Sequence, residues 1–134
     1  MLNHDALSEQ ILGREFKVSS GLGIGFSEKV YENALVHELT KTGLKVDQQK
    51  NLEVWYDGIV VGNFTVDLLV GGRILVELKA VRALDDLHMA QALNYLRSSG
   101  QGVCLLINMG TPKPEVRRLV PGKDWKPVRN GEER

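Results

Sequence analysis

The sequence predicts an α/β fold, a mixed four-stranded sheet flanked by helices, in one domain over residues 1–120 followed by a C-terminal tail over 121–134. Three observations predict it. Apolar residues recur at helical intervals through the first third of the chain, the period drops to two between Leu52 and Ala80, and a helical stretch then leads into the unbroken apolar run Val103-Cys104-Leu105-Leu106-Ile107. A length of 134 residues, 43% apolar and 25% charged, suits a folded globular chain with a single core.

Leu7, Ile11 and Val18 fall at helix-like spacing, so a first helix is expected from about Asp5, its possible cap, to Val18, where Gly21, Gly23 and Gly25 stop it. Ser27 can cap a second helix ending at Thr42 and Gly43, with Val30, Tyr31, Ala34, Leu35 and Leu39 on its inner side. Three antiparallel strands follow: Leu52 to Tyr56, an Asp57-Gly58 hairpin, Ile59 to Val70 with a bend or bulge at Gly62-Asn63, a turn at Gly71-Gly72, and Ile74 to Ala80. Leu84 to Arg97 reads as a third helix. Val103 to Ile107 reads as a strand buried on both faces and, reached through a helix, paired in parallel. Beyond Gly110 only a short strand candidate at Val116 to Val120 stands out, and a tail is expected from Pro121.

Composition narrows the function classes. Seventeen Lys plus Arg balance seventeen Asp plus Glu, so no global positive field recruits nucleic acid or membrane, and an anionic partner must be held by a local patch. A single cysteine, Cys104, forms no internal disulfide or cysteine-rich zinc site and sits where a buried thiol is expected. No stretch approaches the ~20 apolar residues of a membrane span, and Met1-Leu2-Asn3-His4-Asp5 does not open a signal peptide. A cytoplasmic protein is expected.

Register singles out the residues that carry chemistry. With Gly71-Gly72 alone as the loop, Val66 would oppose Glu77 and Asp67 would oppose Val76, driving charge into an apolar face. A three-residue loop, Gly71-Gly72-Arg73, instead sets Asp67 across from Glu77 with Lys79 on the same face. Two such carboxylates repel unless one takes up a proton or a cation sits between them. Hard oxygen ligands suit Mg²⁺ or Mn²⁺, and a neighbouring ammonium can orient a bound water and offset charge on a phosphate. Taken alone, the same three residues also fit a solvated face with a cross-strand ion pair. Glu28 begins the second helix on the side of Tyr31, Glu32 and Leu35, while Gln91 and Tyr95 lie four apart on the third.

Gly25-Phe26-Ser27-Glu28-Lys29-Val30-Tyr31 resembles the Gly-x-x-Glu-x-x-Tyr signature of the GxxExxY proteins, grouped with the PD-(D/E)xK nuclease superfamily. Asp67 with Glu77-Leu78-Lys79 looks like that superfamily's metal motif, and Gln91-Ala92-Leu93-Asn94-Tyr95 is similar to the Gln-x-x-x-Tyr motif of its RecB-like nucleases. The resemblance covers roughly Asp5 to Val120 and implies a restriction-endonuclease-like αβββαβ core. It further implies Asp67 and Glu77 as ligands of Mg²⁺ or Mn²⁺, Lys79 serving the attacking water, and Glu28 supporting the metal site. Gln91, Tyr95 and Tyr31 would contact substrate, DNA or RNA. Two positions depart from the family pattern: Val18-Ser19 stands where Val-His is expected, and Ile24 where Pro often lies between glycines.

Other features point elsewhere or nowhere. His4, His37 and His88 lack zinc-ligand spacing, and Gly21-Leu22-Gly23-Ile24-Gly25-Phe26 follows no strand, which argues against a dinucleotide fingerprint. Trp55 and Tyr56 fit strand packing better than base stacking. Lys113, Arg117, Arg118, Lys123, Lys126 and Arg129 make a locally basic segment that a solvated tail explains. The expected function is hydrolysis of nucleic-acid phosphodiester bonds by a metal-activated water. The rivals are a binding module of the same fold without turnover, and a regulatory partner forming a homodimer through the edge of the Leu52 strand.

Overall fold

In order along the chain come α1 (His4–Leu22), α2 (Glu28–Thr40), β1 (Val46–Tyr56), β2 (Ile59–Val70), β3 (Ile74–Lys79), α3 (Asp86–Ser99), β4 (Val103–Asn108) and β5 (Glu115–Leu119) in the computed structural model, which describes residues 4–122. The strands form one sheet in the order β1-β2-β3-β4-β5, with β3 and β4 parallel and every other pair antiparallel. Most of the expected tail falls outside the described residues, including Lys123, Lys126 and Arg129.

The sheet has five strands, not the four expected. Val116 pairs with Ile107 and Leu119 with Cys104, so β5 covers the outer edge of β4, whose six residues are all buried. The short strand candidate at Val116 to Val120 is thus realised, as a fifth member of the sheet over Glu115–Leu119. Arg118 also reaches Asp5 at 3.1 Å, tying this last strand to the first turn of α1.

Helix boundaries differ in instructive ways. Gly21 is absorbed into α1, which runs to Leu22, and Asp5 lies inside its first turn rather than capping it. Ser27 stands at the N-cap of α2 with extended backbone, but its side chain makes no capping bond. Val30, expected inside, is exposed, and Glu32 is buried in its place. The third helix begins at Asp86, two residues later than expected, because Asp85 accepts the backbone N–H of His88 while the His88 ring accepts that of Asp85.

Two cores sandwich the sheet. Leu7 and Ile11 of α1 and Tyr31, Leu35 and Leu39 of α2 pack on one face, against residues such as Leu68, Val76, Leu105 and Ile107. Ala92 and Leu96 of α3 pack on the other, against Val66, Leu69, Leu75, Cys104 and Leu106. Cys104 is fully buried, and burial pushes its thiol well above the usual range.

The seam that creates the site lies in β2. It pairs with β3 only over Leu68–Val70, whereas β1 accompanies it along its whole length. Strict alternation through β2 fails at this point: Leu68 and Val70 join the core under α1 and α2, yet Val66 joins Leu69 on the α3 side. The break coincides with Asp67 and with Gln49 on β1, a non-glycine residue at φ 54° between the Gln48↔Leu68 and Lys50↔Val66 pairs. A left-handed residue inside a strand disturbs the regular face-to-face alternation, so the β1–β2 ribbon leaves the sheet there. Nearer its tip, Val54 pairs with Gly62 and Trp55 with Val60, leaving Val61 as the extra residue of a bulge, next to Gly62-Asn63 where a bend or bulge was expected.

Candidate functional site

The turn at Gly71-Gly72-Arg73 sets the geometry. Both glycines take positive φ, 61° and 69°, which lets three residues reverse the chain. The resulting pairs Leu68↔Val76, Leu69↔Leu75 and Val70↔Ile74 place Asp67 across from Glu77, one step beyond the last ladder pair. There the side chains replace the ladder. The Asp67 N–H donates to Glu77 Oε1 at 2.7 Å, and the Leu78 N–H donates to Asp67 Oδ2 at 2.8 Å.

This interlock holds two carboxyl groups together at a half-buried to buried seam. Glu77 is only 5% exposed, and burial, then the charge of Asp67, push its pKa up to about 8. Burial also raises Asp67, with Glu32 and Glu28 adding to the rise and the Leu78 N–H opposing it. Neither carboxylate has an ion-pair partner within contact among the described residues. The pair is short of positive charge.

Glu28 enters from α2, its Oε2 accepting the Ala80 N–H at 3.3 Å just past the end of β3. Lys79 lies on the Glu77 side of β3 and donates through Nζ to Gln91 Oε1 of α3 at 3.4 Å. Tyr95, one turn further along α3, stacks on Phe64 with ring centroids 4.2 Å apart, and its hydroxyl is pushed up to about 12 by burial and by the charges of Glu77 and Asp67. Asp67, Glu77, Lys79, Glu28, Gln91 and Tyr95 therefore gather around one end of β3. Tyr31 does not join their surface. It is fully buried, donating its hydroxyl to the Gly23 carbonyl at 2.6 Å and accepting the Phe26 N–H at 3.3 Å, so it clamps the turn before α2.

Sequence reasoning missed a second layer. Glu32 is 3% exposed, yet its carboxylate receives Gln48 Nε2 at 2.6 Å, Gln49 Nε2 at 2.9 Å and Lys29 Nζ at 3.0 Å. Burial alone would raise its pKa, but these donors outweigh burial and hold it below the usual carboxylate range. The same Gln49 amide lies 3.3 Å from Asp67 Oδ1, joining the buried anion to the carboxylate pair. The signals were Glu32 one turn after Glu28 and two adjacent glutamines at a strand position. Asn108 was missed too: it is fully buried, accepts the Val81 and Gly110 N–H groups and donates to the Val81 carbonyl and to Glu115, fixing the loop that follows Lys79.

Among the described residues no group of three or more His, Cys, Asp or Glu side chains is arranged to hold a metal ion. The donors present suit a less enclosed mode. Two neighbouring carboxyl groups with no cation in contact have the donor chemistry for a hard divalent cation that keeps most of its waters, not for a cation caged by protein.

The family model for the PD-(D/E)XK nuclease superfamily matches residues 5–119, and the chain belongs to that superfamily. Membership suggests a nuclease-like function and implies an interaction with nucleic acid; nucleases of the superfamily generally use divalent metals. No curated protein and no solved structure matches the chain. Among the described residues no helix is long and apolar enough to cross a membrane.

Proposed function

We propose that the protein is a Mg²⁺- or Mn²⁺-dependent nuclease of the GxxExxY group that hydrolyses phosphodiester bonds in DNA or RNA in the cytoplasm. The observation that carries the reading is the interlocked Asp67–Glu77 pair at the seam where β2 leaves β3, in a chain of this superfamily. Its grouping is supported by the work Gly25 to Tyr31 does: Glu28 reaches the end of β3 while Tyr31, three residues on, locks the preceding turn.

Asp67 and Glu77 are the residues that would hold the cation, which when bound supplies an activated water and neutralises charge on the attacked phosphate. The chain's own groups do the rest. Lys79, steadied by Gln91, presents an ammonium that offsets charge building on a phosphate oxygen. Glu28 accepts a backbone N–H at the end of β3, and so fixes the approach of α2 to the site. Glu77, with its raised pKa, favours its protonated form at neutral pH, and a cation held there would take that proton's place.

Titrating Mg²⁺ and Mn²⁺ against single- and double-stranded DNA and RNA tests the reading. Metal-dependent cleavage of at least one substrate, abolished in Asp67→Asn, is expected. Nucleic-acid binding with no cleavage under either metal would replace the enzyme by a binding module.

A further inference from the structure

Beside the carboxylate pair, between α3 and the departing β1–β2 ribbon, lies a cleft of about 900 Å³. Its walls include Trp55, Tyr56, Phe64 and Tyr95. Its polar groups are mostly uncharged, Asn63, Gln91, Asn94 and Ser98, with Arg97 the lining cation. Of its lining residues, Tyr56 is 67% and Leu87 76% exposed.

We propose that this cleft takes the unpaired bases of a single-stranded substrate, threading the strand past the carboxylate pair. The inference rests on the nuclease reading for the identity of the polymer and adds the state of its strands. A duplex presents phosphates outward and hides its base faces, and it is gripped by rows of cations. This cleft offers one. Flat aromatic rings and amide groups instead match base faces and base edges, which only unpaired nucleotides expose. Length agrees: Gln91 and Arg97 lie six residues apart on α3, about 9 Å along its axis, against about 3.4 Å per stacked nucleotide. Two or more bases can therefore lie between them. Continuity fixes the direction of the path, because Gln91 lines the cleft and also holds Lys79, while Tyr95 lines it and feels the charges of Glu77 and Asp67.

Fluorescence anisotropy with a labelled oligonucleotide in EDTA separates binding from cleavage. Single strands, as DNA and as RNA, should bind at least about tenfold more tightly than the duplex of the same sequence. Tyr56→Ala should lose roughly tenfold in single-strand affinity, the scale of one stacked base, while Tyr56→Phe retains it and both variants keep the wild-type melt. Equal or tighter duplex binding overturns the proposal, as does single-strand affinity unmoved by Tyr56→Ala. Dimerisation that Tyr56→Ala abolishes, with oligonucleotide binding untouched, overturns it as well by showing a second copy in the cleft. Cleavage with Mg²⁺ or Mn²⁺ is read separately. Single-strand preference without cleavage sinks the nuclease reading alone, and cleavage with duplex preference sinks this one alone.

Discussion

Asp67 has two jobs, and they respond differently to substitution. As an acceptor for the Leu78 N–H it closes the seam, and as a charge beside Glu77 it opposes the apo fold. Asp67→Asn keeps a carbonyl oxygen for the first and removes the second, so the metal-free variant should melt at or above the wild-type temperature. Its stabilisation by Mg²⁺ or Mn²⁺ should shrink, and cleavage should fall by more than the ~10–100-fold typical of outer-shell partners. A variant severely destabilised without metal, yet unchanged in cleavage and metal shift, would make Asp67 a structural residue. Gln49 behaves oppositely. It donates to both Glu32 oxygens and to Asp67, so Gln49→Ala strips a donor from a buried anion and should cost about 1–3 kcal/mol in denaturant unfolding. The pair Asp67 and Glu77 was legible because register follows from side-chain parity around a glycine turn. Glu32 and Gln49 were not, because a polar residue facing inward looks in sequence like one facing water.

Elements whose side chains fill the core were legible, and a segment whose side chains hold a buried carboxylate was not. The all-apolar run of β4 and its parallel pairing to β3 were readable. The first half of β1 was not, since Gln48 and Gln49 there hold a carboxylate on α2 and erase the period of two. The loop from Ala80 to Asp85 shows how tightly the ends of elements are held. A Cβ on Gly110 would clash with the Val81 carbonyl oxygen, so this backbone approach tolerates no side chain. Gly110→Ala should force the two segments apart and lower stability by roughly 1–3 kcal/mol, the range for overpacking. Because Asn108 bonds to Val81 beside Lys79, the same variant should also weaken metal-dependent cleavage. Unfolding by urea and a cleavage rate on one preparation check both effects, and a wild-type urea midpoint would show that the loop yields freely.

At the scale of the whole molecule, the site is stored as an imbalance of protons. Burial raises Glu77 to about 8 and Glu15, on α1 with Oε1 unpartnered among the described residues, to about 7, each from an ordinary 4.5. Between those values the folded chain holds protons that the unfolded chain has released, so stability falls as pH rises. The stabilising share is complete below about pH 4.5 and is lost as pH climbs through 7 and 8. Glu32, held below its usual value, works in the other direction, but its contribution is already full above 4.5. Melts of the metal-free protein from pH 5 to 9 should therefore show a declining midpoint. Glu15→Gln should make the decline shallower up to about pH 7, while Glu77→Gln should make it shallower there and also remove the part between about 7 and 8. A divalent cation has to displace the Glu77 proton, so its stabilising effect should be smallest near pH 5 and grow toward pH 8, and Glu77→Gln should abolish that growth. A metal-induced shift independent of pH would mean the cation binds away from Glu77, and the seam between β2 and β3 would lose its claim to the chemistry.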